Sequence, residues 1–343
     1  MPIGDIKAAA KRKVKDKAVR TVKQKVGGGR GNGGGGRGGN KSGKRKSPIL
    51  IIVLILVVAG AAFAAWHFGL LDNLFGGGDE AEAPVIVADA EGDMVIHFID
   101  VGQADATFIV TDGGTMLIDA GSRRSGPRVV EYLQELGIEE ITYVVATHPH
   151  EDHIGGMDLV LNAFTIGTVP LPDISHTTAT YERMIEAIET HNIPTYAPLA
   201  GHVFEMGGAV FTVIHPTHND NGRNLNDWSI SKHVAFGNFS MVTTGDAEIP
   251  AEREMIATGL NLSAEVLRLG HHGSRTSTTQ EFLDAVDPSI VIIQVGADNR
   301  YGHPHQEVMD RLTGMRIYRN DHHGDIVLTT DGTNIDISTE RDG

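Results

Sequence analysis

The chain has 343 residues and a formal charge of −15, unevenly spread: residues 1–75 hold 15 of the 29 Lys and Arg and only Asp5, Asp16 and Asp72 among the acids, a net of +12 that leaves −27 on the rest. That asymmetry excludes one evenly charged soluble body and points to a basic tail facing an anionic surface, joined to an acidic domain in another compartment. Cysteine is absent, which excludes disulfides and thiolate ligands, so any metal must be held by His, Asp, Glu or Asn.

Residues 1–47 read as a basic tail. Within it Gly27–Lys46 is mostly Gly with Arg, Asn and Lys, a composition that buries no core and is expected to be disordered. A cytoplasmic tether beside the membrane is the expectation, with RNA binding as its rival. Residues 48–71 read as one transmembrane helix: Ile49–Trp66 is 18 residues without a charge, nearly enough at 1.5 Å each to cross a hydrocarbon layer of about 30 Å. All 15 basic residues of this region precede the span and none follows until Arg123, which places the N-terminus in the cytoplasm and the remainder outside. A cleaved signal peptide ending near Ala62-Phe63-Ala64 is the alternative, disfavoured by so long a basic segment before it. Residues 72–93, with Gly76, Gly77, Gly78 and several acids, read as a flexible linker.

The roughly 250 residues of 94–343 suit one folded domain. MVIHFIDV, ATFIVT, TMLIDA, ITYVVAT, AVFTVIH, SISKHVAF, FSMVTT, EVLRLG and SIVIIQV are predicted strands by length and β-branched content. Gly126–Leu136, Ala179–His191, Pro250–Thr258, Thr279–Val286 and His305–Leu312 are predicted helices. Several strands followed by a mixture of strands and helices suggest two packed sheets with helices outside.

The strand ITYVVAT runs into His148-Pro149-His150-Glu151-Asp152-His153-Ile154-Gly155-Gly156, three imidazoles and two carboxylates within six residues. Spacings of two and three residues at a strand end let His148 and His150 face one metal while Asp152 and His153 face another. Gly155 and Gly156 let the following helix approach closely, and Glu151 is expected to face solvent. An exposed polar loop is the bland alternative, and the density of the cluster weighs against it.

His-x-His-x-Asp-His followed by Gly-Gly resembles the signature of the metallo-β-lactamase superfamily. Phe98–Ala106, Leu117–Gly121, Thr244–Glu248 and Gly270–Ser274 stand in the order found in one branch, the hydrolase domain of ComEC-type DNA-uptake proteins and its stand-alone relatives. The resemblance covers roughly Met94–Asp331 and implies an αββα sandwich with metals at one edge between the sheets. It implies Asp246 as a carboxylate bridging two metals, and one of His271 and His272 as a ligand, with His272 preferred by strand alternation. His215 is a candidate third imidazole for the first metal, with Asn226 and Asp227 as rivals for completing that shell. Asp119 is expected to support a metal-binding histidine, and Arg300 and His303 to contact an anion or protonate a leaving oxygen. Ala104 stands where the branch usually has Gly before the Asp, here Asp105. His218 reads as a loop histidine, and His322 and His323 as residues of an exposed hairpin with no catalytic part.

The expected function is a membrane-anchored, extracytoplasmic hydrolase with two divalent ions, zinc first and manganese second, and a water oriented by Asp152 or Asp246. The ComEC resemblance implies a phosphodiester substrate, either DNA or a cell-envelope component. The alternatives are a lactone, carboxylic ester or β-lactam-like substrate, and an inactive binding module. Lys232 as the only lysine after the linker argues against tight nonspecific DNA binding, unless Arg268, Arg275 and Arg300 gather near the metals.

Overall fold

A computed structural model describes residues 92–219 and 224–343. The expected tail 1–47, the span 48–71 and nearly all of the linker 72–93 lie outside these residues. Among the described residues no helix is long and apolar enough to cross a membrane.

Two mixed sheets carry the fold. The first contains β1 (Met94–Phe98), β2 (Thr107–Thr111), β3 (Gly114–Ile118), β4 (Glu140–Val145), β5 (Thr165–Pro170), β6 (Thr195–Tyr196), β14 (Ile326–Thr330) and β15 (Ile335–Thr339), in the order β15-β14-β1-β2-β3-β4-β5-β6. The second contains β7 (Val203–Met206), β8 (Ala209–His215), β9 (Ser231–Phe236), β10 (Phe239–Thr243), β11 (Val266–Arg268), β12 (Ile290–Ile293) and β13 (Arg316–Arg319), ordered from β13 down to β7. The helices are α1 (Gly126–Glu135), α2 (Glu151–Ile154), α3 (Met157–Ala163), α4 (Ala179–Thr190), α5 (Ile249–Ala257), α6 (Gln280–Val286), α7 (Gln306–Arg311) and α8 (Asn320–His323).

Strand alternation divides the core into layers. In β3, Met116 and Ile118 join the apolar layer between the sheets, whereas Leu117 joins the layer under α1, α3 and α4 with Val129, Leu133, Val160 and Met184. In β12, Ile290 and Ile292 face the inter-sheet layer, whereas Val291 and Ile293 pack with Met255, Phe282 and Val308 from α5, α6 and α7. The arrangement is helices, sheet, sheet, helices, the αββα sandwich that the resemblance implies. Local signals agree with it: the Thr178 hydroxyl accepts from the Tyr181 N–H at the start of α4, and Thr279 does the same for Phe282 at α6.

The predicted helices and strands all form, with ends shifted by a few residues. The sequence reading overlooked β5, β6, β7, β13, β14 and β15, as well as the single-turn helices α2 and α8, whereas α3 is the helix expected after Gly155-Gly156. His322 and His323 do not sit in a hairpin but in the single turn of α8, where His323 Nδ1 lies 3.0 Å from the Arg319 N–H.

Parallel pairing runs through β3, β4 and β5 in one sheet and through β10, β11, β12 and β13 in the other. Asp119 follows β3, His148 follows β4, Asp246 follows β10, His271 follows β11 and His303 follows β12. Groups far apart in the chain therefore leave the carboxyl ends of parallel strands toward one edge of the sandwich.

Candidate metal centre

β4 ends at Val145, and the chain turns through Thr147 and His148 into the short helix α2, which begins after His150. The turn is possible because nothing larger than hydrogen fits at two positions. A Cβ on Gly155 would lie 2.3 Å from the Arg123 nitrogen, and one on Gly156 would lie 2.3 Å from the Ala120 carbonyl oxygen. The expected close approach at Gly155-Gly156 is thus present, and it seats His153 beneath Asp119.

Asp119 holds a left-handed backbone conformation, φ 59°, uncommon for a residue other than Gly. Its Oδ1 accepts the Thr147 N–H at 2.9 Å, while Oδ2 accepts the Thr147 hydroxyl and lies against His153 Nδ1, both at 2.7 Å. A carboxylate only accepts, so His153 Nδ1 carries hydrogen.

The centre is Asp246. His153 Nε2 lies 3.1 Å from Asp246 Oδ2, His271 Nε2 and His272 Nε2 each at 3.7 Å, and His148 Nε2 at 4.0 Å. The Nδ1 atoms point at protein partners: His272 to the Gln294 carbonyl at 2.9 Å, His148 toward the Thr147 hydroxyl at 3.2 Å, and His271 to Glu248 Oε1 at 3.3 Å. Asp152 Oδ2 lies 3.5 Å from His272 Nε2, and His150 Nδ1 lies 2.9 Å from His148 Nε2. The preference for His272 over His271 rested on strand alternation. Alternation does not operate here, because both residues occupy a left-handed turn after β11, with φ 48° and 53°, and both present Nε2 to Asp246.

These atoms open into a cleft of about 280 Å³ lined by Gln103, His150, Asp152, His271, Tyr301 and His303, among others. His153, His272 and Asp246 are buried, and His153 Nε2, His272 Nε2 and Asp246 Oδ1 have no hydrogen-bond partner. Buried polar atoms without partners are costly, and their clustering is what a bound cation resolves. One ligand atom from each of Asp105, His153, Asp246 and His272 lies within 4.8 Å of the others. A His and Asp donor set without thiolate fits zinc or manganese.

The charges within the cluster are strongly coupled. Burial alone would lower the His153 pKa, but Asp246 and Asp119 outweigh it and hold the imidazole well above its ordinary value. Burial would raise Asp246, yet His153 and His272 keep it well below the usual carboxylate range. His148 is pushed well down by burial and by His153. Burial and then His272 and His271 lower His303 to about 4.

Several expected residues fall elsewhere. His215 is not brought to the cluster: its Nδ1 faces the Ser229 carbonyl at 3.3 Å and its Nε2 faces Glu254 at 3.5 Å, so protein groups engage both nitrogens. It sits buried behind Ser229, outside the group of imidazoles around Asp246. Asp227 accepts the Glu248 N–H at 3.0 Å just before α5. Asn226 lines the cleft and donates to Glu248 Oε1 at 3.0 Å. Arg300 is exposed, lies over the Tyr301 ring at 4.9 Å and donates to its hydroxyl at 2.7 Å. Glu151 is exposed as expected and accepts the Arg123 N–H. His218 is exposed, with Nε2 3.5 Å from Glu254.

Sequence reasoning gave no role to Gln294 or Glu248, although Gln294 accepts from His272 and Glu248 backs His271. Their one sequence signal was position: Gln294 stands near the end of the predicted strand SIVIIQV, and Glu248 a few residues beyond FSMVTT.

Comparison with known proteins agrees with this fold. The metallo-beta-lactamase superfamily matches residues 99–296. ComE operon protein 3 of Bacillus subtilis is 30% identical over 71% of this chain and 33% of its own length. Recombination protein 2 of Haemophilus influenzae is 35% identical over 63% of the chain and 26% of its own length. Competence protein ComA of Neisseria gonorrhoeae is 28% identical over 67% of the chain and 31% of its own length. The chain thus spans about a third or less of these relatives. With the motifs, the sandwich and the superfamily match in agreement, the chain belongs to the metallo-β-lactamase superfamily.

Proposed function

We propose that this protein is a metal-dependent phosphodiesterase, anchored by residues 48–71 with its hydrolase domain outside the cytoplasm. The observation that carries the reading is the convergence of four imidazole Nε2 atoms on Asp246 Oδ2 in an open cleft, with buried donor atoms left unpartnered. His148, His150, Asp152, His153, Asp246, His271 and His272 would hold the metal ions. Divalent ions so held would supply an activated water near neutral pH and polarisation of a phosphoryl oxygen.

The protein's own groups bind and orient. Asp119 and the Gln294 carbonyl hold His153 and His272 at Nδ1, so Nε2 is the nitrogen of each ring that would meet a cation in the cleft. Asp152 and Asp246, which line the cleft together with the more exposed Glu151, are the carboxylates among the histidines and can orient an attacking water. His303 is neutral at pH 7 with its pKa near 4, which supports a hydrogen bond to the diester rather than delivery of a proton. Arg300 at the rim offers a cation to a phosphate approaching from solvent.

The substrate is better read as a short or envelope-derived diester than as long DNA. Arg268 is buried and paired with Asp105, so it is withdrawn from any substrate groove, and the residues after 75 carry −27. The test is a panel on one preparation: bis-p-nitrophenyl phosphate, single-stranded DNA, a lactone and a cephalosporin, each with zinc and with manganese. Diester turnover is expected. Turnover of the lactone or cephalosporin alone would replace this reading with a carboxylic ester or β-lactam-like hydrolase, and no turnover at all would favour a binding module.

A further inference from the structure

Behind the cleft lies a buried polar layer that the mechanism above does not use. β11 reads Val-Leu-Arg; Val266 faces the inter-sheet core and Leu267 the outer layer, so alternation sends Arg268 into the space between the sheets. Arg268 is 2% exposed, and an unpaired guanidinium there would be very unfavourable. Its NH2 group forms an ion pair with Asp105, its NH1 group donates to the Gly245 carbonyl at 2.8 Å and Nε donates to Gln294 Oε1 at 3.3 Å. The same Gln294 Oε1 accepts the Thr107 hydroxyl at 2.8 Å, and Nε2 donates to the Ala106 carbonyl at 2.8 Å.

Asp105 stands on a particular side of the histidines. Its Oδ1 is 3.3 Å from His272 Nδ1 and its Oδ2 is 3.6 Å from His153 Nδ1, whereas Asp152 and Asp246 meet these rings at Nε2. Its backbone closes the same unit, since the Asp105 N–H donates to the Asp152 carbonyl at 3.1 Å and its own carbonyl accepts the Gly121 N–H at 2.7 Å. One carboxylate thus lies behind two imidazoles, pinned by one buried guanidinium that also grips Gly245, the residue before Asp246.

We infer that Arg268 and Asp105 form a positioning clamp that sets His153, His272 and Asp246 for metal, with Asp105 acting from behind the rings and not as a ligand. The inference rests on the metal-centre reading above. Asp105 can be grouped with the ligating atoms by distance alone, but it approaches each ring at Nδ1, not at the Nε2 that meets Asp246. The charge of Arg268 holds the Asp105 carboxylate away from a cation in front. Loss of either partner leaves the rings to Asp119 and the Gln294 carbonyl alone, without the charge behind them, and lets Gly245 shift.

The test is metal affinity of the full chain by chelator competition, with kcat and KM for a diester and the thermal midpoint of the metal-free protein. Asp105→Asn and Arg268→Met are each expected to weaken metal binding by about 10- to 100-fold at unchanged stoichiometry, lowering kcat at nearly constant KM. Arg268→Lys should restore part of the affinity, and the double variant should be little worse than Asp105→Asn because the two residues act as one unit. A rise in affinity in the Arg268 variants would overturn the clamp, since releasing a ligand carboxylate from its guanidinium strengthens it. Lower thermal midpoints with unchanged metal affinity would also overturn it, leaving a merely structural pair. If Arg268→Met does not fold, the Lys and Asn variants decide alone. A wild-type chain that binds no metal would refute the metal-centre reading, an outcome distinct from failure of the clamp.

Discussion

His153 Nε2 lies 3.1 Å from Asp246 Oδ2 while His153 Nδ1 lies 2.7 Å from Asp119 Oδ2, so one buried imidazole is held between two carboxylates from different sheets. Asp119 follows the first sheet's β3 and Asp246 the second sheet's β10, which makes this contact a joint of the sandwich as well as the heart of the site. Replacing Asp246 with Asn should abolish most metal binding, with activity down by at least about 100-fold. Metal-free stability should also fall by about 3 kcal/mol or more, because a buried partner of His153 is lost. Activity close to wild type in this variant would exclude Asp246 from the centre.

Asp119 acts through His153. Asp119→Asn keeps the shape but removes the charge that fixes the ring, and metal affinity should drop by about 10- to 100-fold. The expected signature is a fall in kcat that excess metal partly restores. An unchanged metal titration would leave Asp119 as only the brace of Thr147.

His215 separates the geometry from the resemblance. Both its nitrogens are engaged by Ser229 and Glu254, so His215→Gln should bind as many metal ions as wild type, with a modest loss of stability of about 1–2 kcal/mol. Elemental analysis showing one ion fewer would return His215 to the first metal shell.

The reach of the sequence differs from residue to residue. His148, His150, Asp152 and His153 were legible because they are contiguous, so local spacing alone brings them together. Asp119 and Asp246 each end a strand, and only the motif order of the resemblance marked them. Asp105 and Arg268 were quoted but not joined, because their contact depends on the packing of two sheets, and Arg268 reads as a possible groove cation until its facing carboxylate is known. The same holds for His215: a histidine at a strand end near the site reads as a ligand, and the partners that the structure places against it, Ser229 and Glu254, come from other elements. Among the strands, β5 was overlooked because Gly167 and Pro170 weaken its pattern, and β15 because charged and polar residues interrupt a short alternation.

Gly156 tests the local architecture. A Cβ there would meet the Ala120 carbonyl at 2.3 Å and the Gly126 Cα at 2.5 Å, both backbone atoms that cannot swing aside. Gly156→Ala should cost about 1–3 kcal/mol in denaturant unfolding and loosen metal binding, because α2 and the metal-binding turn move together. An unfolding midpoint equal to wild type would show that the contact relaxes freely.

His97 supplies a pH dependence away from the metals. It is buried in β1 with Nδ1 2.9 Å from the Tyr132 hydroxyl, and burial lowers its pKa from 6.5 to about 4. The unfolded chain therefore binds the proton more tightly. The full stability is present above pH 6.5 and declines as pH falls from 6.5 toward 4, by up to about 3 kcal/mol at 1.36 kcal/mol per unit. Urea unfolding across this range should show the decline in wild type and a flatter profile in His97→Phe. Equal slopes in the two proteins would remove His97 from the acid limb.

The most direct measurement of the central claim is elemental analysis of the purified chain after chelation and reconstitution, paired with the same analysis of Asp246→Asn. The account expects about two divalent ions per chain in wild type and a marked loss in the variant. Wild-type protein that retains no ion, or an Asp246→Asn variant that retains the full complement, would contradict it.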